Sequence, residues 1–258
     1  MNQSPGTTTS ALEAAAELFR NAKRVVVLTG AGISTPSGIP DFRSEGTGLW
    51  SSDEPMAVAS LGTFRSHPEK FFNWFRPLAG QIFNALPNPA HQALADLAVS
   101  DRELVIVTQN IDGLHQKAGS KHVVEMHGTL NTLSCTNCFK KFDAGDHLQA
   151  FIEHGVIPLC ANCNGTLKPD VILFGEQLPQ TAWIEAQNAA RQCDLMVVAG
   201  SSLEVLPVAG LPVQAVDRGA HLIVINNTPT YIDIRADVVI MDDVATALPN
   251  ITKRATHG

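Results

Sequence analysis

Four of the chain's five cysteines form two pairs, Cys135 with Cys138 and Cys160 with Cys163, each with two residues between its members. Residues 139–159 separate the pairs. Four thiolates so spaced can close a tetrahedral shell around Zn2+ and leave no open position, which is the pattern of a structural and not a catalytic metal. The loop between the pairs is not notably basic, so a nucleic-acid-binding ribbon is disfavoured. Cys193, beside an apolar run, reads as a small buried hydrophobe.

A second group of residues follows apolar runs. Thr108-Gln109-Asn110-Ile111-Asp112 places two amides and a carboxylate together, groups that suit ribose hydroxyls or a carboxamide. Loop capping accounts for one of the three more easily than for all. Gly30-Ala31-Gly32-Ile33-Ser34-Thr35 lets the backbone approach a pyrophosphate, with the N–H groups of a following helix to bind its charge. Thr35 stands where the hydride-transfer fingerprint has its third glycine, and no second strand ends in an acidic residue about 20 positions on. A dehydrogenase is therefore not implied. Gly200-Ser201-Ser202 and Asn226-Asn227 offer further hydroxyls and amides. His127, between Val123-Val124 and Gly128, suits a general base, which works best with a pKa near the operating pH. On composition alone His91, His115 and His122 are equal candidates.

The elements that must position these groups are five short apolar runs: 25–29, 104–108, 195–199, 222–226 and 238–240. Their β-branched residues without polar alternation indicate strands buried on both faces, as in a parallel sheet. Helix-compatible stretches lie between most of them, such as 88–99 and 181–191. The expected fold is α/β, a doubly wound and mostly parallel Rossmann-like sheet, with ligands beyond the carboxyl ends of its strands. That domain is expected over residues 10–41, 86–132 and 168–251. Residues 42–85 carry most of the aromatics (Phe64, Phe71, Phe72, Trp74, Phe75, Phe83) at helical spacing and read as a helical insertion. With the cysteine-bearing module 133–167 they are expected to form a smaller second domain. Residues 1–9 read as a disordered tail, and Ser10 with Glu13 as a capping box opening a helix.

The chain has 258 residues, 45% hydrophobic and 17% charged, with 18 basic against 25 acidic side chains. The net charge of −7 is a poor footprint for nucleic acid and tolerates a basic peptide. No apolar run approaches the roughly 20 residues of a membrane-spanning helix. A cytoplasmic monomer with no membrane partner is expected.

Taken together, these segments resemble the sirtuin family of NAD-dependent protein-lysine deacylases, of prokaryotic type, from about Leu12 to Leu248. The resemblance is carried by Gly-Ala-Gly-Ile-Ser at 30–34, Gly-Ile-Pro-Asp-Phe-Arg at 38–43, Thr-Gln-Asn-Ile-Asp at 108–112 and His-Gly at 127–128. The cysteine pairs, Phe174-Gly175-Glu176, Gly200-Ser201-Ser202 and Asn226 follow in the family's order. It implies NAD as co-substrate and a structural Zn2+. Adenosine would lie near Gly200, Ser201, Ser202, Asn226, Asn227 and Asp243-Val244. The pyrophosphate would sit on Ala31, Gly32 and Ser34 with Arg43 nearby, and Gly30, Asp41, Phe42, Gln109 and Ile111 would complete the cofactor site. Nicotinamide would enter a pocket of Ile33, Asn110 and Asp112.

The resemblance further implies that the acyl-lysine carbonyl oxygen attacks the ribose carbon as nicotinamide leaves. His127, the catalytic base beside Asn110 and Asp112, then takes a proton from a ribose hydroxyl. The products are lysine, nicotinamide and O-acyl-ADP-ribose. The peptide would add as a strand between Gly175-Glu176-Gln177 and Val205-Leu206-Pro207. Phe42, Ile172 and Phe174 would line the acyl-lysine tunnel. Members that prefer acidic acyl groups carry a Tyr and an Arg in the helical insertion; here residues 50–64 contain neither, which points to uncharged acyl groups, acetyl first. Two alternatives share these features: a mono-ADP-ribosyltransferase on the same scaffold, and a zinc-ribbon binding protein without turnover, which would want a basic face.

Overall fold

The computed structural model describes residues 5–41, 55–97 and 102–257. Nine strands are present among them: β1 (Arg24–Thr29), β2 (Glu103–Thr108), β3 (Val123–Glu125), β4 (Gly128–Cys135), β5 (Lys141–Asp143), β6 (Leu167–Val171), β7 (Leu195–Ala199), β8 (His221–Ile225) and β9 (Val238–Ile240). Six form a sheet in the order β3-β2-β1-β7-β8-β9, with every pair parallel. The five apolar runs supply five of these strands, and Val123–Glu125 supplies the sixth at one edge.

The doubly buried runs work by alternation. Val25, Val27, Leu104, Ile106, Leu195, Val197, Ile223 and Ile225 turn to one face and pack with Ala15, Phe19, Leu94, Leu97, Leu248 and Ile251. These come from helices Pro5–Asn21, Pro89–Leu97 and Val244–His257. Val26, Leu28, Val105, Val107, Met196, Val198, Leu222 and Val224 turn to the other face, under helices Gln180–Gln192 and Leu211–Val216. Each fully buried aliphatic side chain contributes about 1.5–3 kcal/mol, so both layers hold the sheet. The first helix differs from expectation. It starts at Pro5, placing Ser10 inside it and residues 5–9 in the helix rather than in a tail; proline's fixed φ suits a first helical turn. None of the described helices is long and apolar enough to cross a membrane.

A second, antiparallel sheet has the order β5-β4-β6. β4 starts before residue 133 and β6 runs past 167, so both strands continue through the points at which the cysteine module is expected to join the larger sheet. Within that module lies the helix Gly145–His154, whose Phe151 packs at 5.2 Å from Phe72 of helix Pro68–Asn84. Phe64, Phe71, Phe72, Phe75 and Phe151 form one buried cluster with Leu114, Val171 and Leu173. Phe83 stays 47% exposed and takes no part in it.

The strand order reverses between β1 and β7, where the loops leaving the two strands diverge. Here they also touch. Gly32 N–H donates to Gly200 O at 2.9 Å, and a Cβ on Gly200 would lie 2.3 Å from Ile33 N with φ at +61°. Only glycine fits this contact. Gly200→Ala is expected to destabilise the chain by about 3 kcal/mol, read as a lowered denaturant midpoint; an unchanged midpoint would show that the loops separate freely.

Candidate active site

The polar residues at the strand ends are drawn together at this contact. Ser34 Oγ donates to Asp112 Oδ2 at 2.7 Å and accepts from Asn110 Nδ2 at 3.1 Å, while Asn110 Nδ2 also donates to Gly30 O at 3.0 Å. Asp112 Oδ1 accepts the Leu114 N–H at 2.9 Å. Gln109 Nε2 reaches across the switch point to Ser201 Oγ at 3.0 Å. The loops after β1, β2 and β7 are thus tied by side chains as well as by backbone.

After β1 the chain makes two 3-10 turns, Ala31–Ile33 and Thr35–Ser37, and not the expected helix. Pro36 and the left-handed Gly38 (φ +84°) stop the winding. The N–H groups of Gly32, Ile33 and Ser34 bond to the carbonyls of Gly200, Gly30 and Ala31, which shapes the turn. The Ile33 side chain is fully buried in the core. Phe42 and Arg43 lie outside the described residues, while Asp41 is half-buried at their edge.

His127 Nδ1 lies 3.0 Å from Gln109 O. A carbonyl only accepts, so Nδ1 carries the proton and Nε2 keeps its lone pair. Burial holds the imidazole below its ordinary value, partly opposed by that hydrogen bond, so the ring is neutral at neutral pH. Gly128 (φ +77°) follows, and a Cβ there would lie 2.0 Å from Asp170 O. This glycine lets the chain carrying His127 cross close against β6, where His127 O also accepts the Ile172 N–H at 2.8 Å.

The remaining expected residues spread outward. Asn226 is buried at the end of β8 and donates through Nδ2 to Thr228 O at 2.8 Å. Asn227 and Ser202 are exposed. Val244 is buried at the start of its helix, where Asp243 Oδ1 accepts the Ala245 N–H at 2.7 Å. Ile111 is half-buried against the aromatic cluster. Phe174 pairs with Ser60 in a parallel bridge, exchanging hydrogen bonds with Ala59 O and Leu61 N. Phe174, Val205 and Leu206 are exposed, and Ile172 is half-buried.

Sequence reasoning missed the polar network beneath the site. Thr29 and Thr108 end β1 and β2, and their hydroxyls meet at 2.8 Å. His115 Nε2 lies 3.0 Å from Thr29 Oγ1, and Asn110 N–H donates to Thr108 Oγ1 at 3.1 Å. The His115 ring lies 4.8 Å from that of His91, tilted by 60°; His91 Nδ1 accepts the Asn88 N–H at 3.3 Å, and Asn88 Nδ2 donates to Ile33 O at 2.8 Å. Both histidines are almost wholly buried. A threonine closing each of two apolar runs was the available signal.

The four cysteines also assemble. Their sulfurs all lie within 4.8 Å of one another, with Cys135–Cys163 at 3.4 Å and Cys138–Cys160 at 3.7 Å. A tetrahedral zinc with Zn–S near 2.3 Å requires sulfurs about 3.8 Å apart, so the donor set fits that ion. Phe139 and Asn164, each just after the second cysteine of its pair, both adopt positive φ (59° and 56°). Each donates its N–H to the carbonyl of the first cysteine. Cys193 lies elsewhere, against the layer under helix Gln180–Gln192.

A model of the Sir2 family matches residues 30–207. The chain belongs to the Sir2 family. It is 43% identical over 240 residues to an NAD-dependent protein deacylase of Archaeoglobus fulgidus, covering 93% of this chain and 94% of that protein. It is 44% identical over 237 residues to an NAD-dependent protein deacetylase of Caldanaerobacter subterraneus, covering 92% and 93%. Among solved structures, a Sir2 enzyme superposes with a TM-score of 0.88 at 41% identity, covering 96% of this chain and 98% of its own. A Sir2 complex with a p53 peptide and NAD+ gives 0.84 at 38% identity, covering 94% and 97%.

Two outcomes follow. Burial lowers His91 to about 4, against an opposing pull from Asp112, and lowers His115 to about 3, helped by His91. The unfolded chain takes up these protons first, near the ordinary 6.5. Stability is therefore expected to be full above about pH 6.5 and to fall as pH drops toward those values, by up to about 1.4 kcal/mol per pH unit for each histidine. Denaturant midpoints across this range should show the slope and show less of it in His115→Gln; equal slopes would refute it. Cys135→Ser is expected to lose bound zinc and several degrees of Tm, since a closed zinc shell contributes to folding. A zinc-free variant of unchanged Tm would contradict the structural role.

Proposed function

We propose that this chain is an NAD-dependent protein-lysine deacylase, converting acyl-lysine, NAD and water into lysine, nicotinamide and O-acyl-ADP-ribose. The observation that carries the proposal is the state of His127: neutral, with its proton held on Nδ1 by Gln109 O and its Nε2 lone pair available. Such a group can take a proton from a ribose hydroxyl at neutral pH, as a general base must. Asn110 and Asp112, fixed on the same loop through Ser34, hold the nicotinamide end. NAD supplies the electrophilic ribose carbon, so the glycine loop serves binding rather than hydride transfer.

The adenosine end is assigned to Gly200, Ser201 and Asn226, at the ends of β7 and β8. The peptide edge is assigned to 175–177 and 205–206, where a strand could add to exposed backbone. Four cysteine thiolates hold the zinc, whose part is to stabilise the small sheet. Acetyl and other uncharged acyl groups are the proposed substrates, from the absence of Tyr and Arg in residues 50–64.

Incubation with NAD and an acetyl-lysine peptide should release nicotinamide only when the acetyl group is present, one per lysine freed. Release without it, with ADP-ribose appearing on protein, would favour the transferase reading. His127→Ala should lower turnover about a hundredfold or more with unchanged circular dichroism; near-normal turnover would remove His127 as base. Faster turnover of a succinylated than of an acetylated peptide would overturn the acyl preference.

A further inference from the structure

Lys168 and Glu176 form an ion pair, Nζ to Oε2 at 3.1 Å, with side chains only 15% and 20% exposed. The same ammonium donates to Val171 O at 2.7 Å and Pro169 O at 3.1 Å. The same carboxylate oxygen accepts the Leu173 N–H at 2.7 Å, and Glu176 N–H donates to Leu173 O at 2.9 Å. One charge pair therefore ties the end of β6 to the turn at 173–176. Glu176 points its carboxylate into this turn and toward Lys168, so the side chain is engaged with its own backbone. Gly175, at φ +88°, completes the reversal. On the other side, Phe174 is stitched to Ala59 and Leu61.

We infer that Lys168 is a positioning residue for acyl-peptide binding: its ion pair with Glu176 fixes the turn at 173–176 and so sets where the 175–177 edge meets an added strand. The inference rests on the peptide-docking reading above. Strand addition needs a row of backbone donors and acceptors already in register, because ordering a loose segment at the moment of binding lowers affinity. A three-acceptor anchor at the root of the segment supplies that order. Removing the ammonium leaves the carboxylate half-buried without its counter-charge, and the turn relaxes. The NAD side, fixed by the glycine contact and the Ser34–Asp112 bond, has no part in this anchor.

The test is steady-state kinetics with NAD and an acetyl-lysine peptide on the full chain. Lys168→Met is expected to raise KM for the peptide about fivefold to tenfold, with KM for NAD and kcat within about twofold. Lys168→Arg, which keeps charge and donors, should return the peptide KM to within about twofold. Glu176→Gln should raise the peptide KM in the same direction, so the inference stays testable should the methionine variant not fold. An unchanged peptide KM, or equal rises in both KM values, overturns it. Hydrogen exchange separates this from the docking reading. In the unmodified chain the peptide should protect 174–177 and 205–206. Without that protection the docking reading fails and the inference with it. Protection that is equally strong in Lys168→Met overturns the role of Lys168 alone.

Discussion

The site depends on a backbone contact at the reversal of strand order. Gly32 N–H meets Gly200 O at 2.9 Å, closer than any side chain would allow. In a doubly wound sheet the loops at this point part to leave a crevice. Here the crevice has a closed floor, and every polar group of the site is placed relative to it. Ser34 follows Gly32 by two residues and Ser201 follows Gly200 directly. Their hydroxyls then fix Asp112, Asn110 and Gln109, and the Gln109 carbonyl fixes His127.

That chain of bonds keeps His127 neutral and in one tautomer in a largely buried place. Desolvation disfavours the imidazolium, and a single carbonyl acceptor selects the tautomer. The second buried layer uses the same physics. His91 and His115 are kept neutral beneath the loops, linking the threonine ends of β1 and β2 to Asn88 and the Ile33 carbonyl. Neutral imidazoles can satisfy buried hydrogen-bonding groups without bringing in a charge that would then need a partner.

The small sheet is coupled to the same centre along a different route. β6 runs from the cysteine cluster toward the exposed edge at Phe174, while Gly128 brings His127 within reach of β6. The aromatic cluster joins the helical insertion to the module beside the cysteines, with Arg76 Nε donating to Ile152 O at 2.9 Å across that seam. The clustered cysteines and the aromatic packing thus brace the small sheet from two sides.

The sequence by itself determined five of the six strands of the main sheet, because apolar β-branched runs buried on both faces leave few alternatives. It also determined the metal ligands, since two Cys-x-x-Cys pairs carry their geometry locally, and the convergence of 30–34, 108–112 and 127. Composition did not distinguish His127 from His91, His115 or His122; family resemblance chose it. The tertiary structure separated them physically, because contacts between segments set the surroundings of each ring: Gln109 O selects the tautomer of His127, while burial lowers the pKa of His91 and His115. The same holds for Gly200, whose need for glycine arises from Ile33, and for Lys168, whose role arises from where Glu176 turns. Ser10 and Glu13 satisfy a local capping pattern, yet the chain enters the first helix earlier, at Pro5. Local spacing encodes what one segment can do alone; contacts between segments decide which of its equal candidates does it.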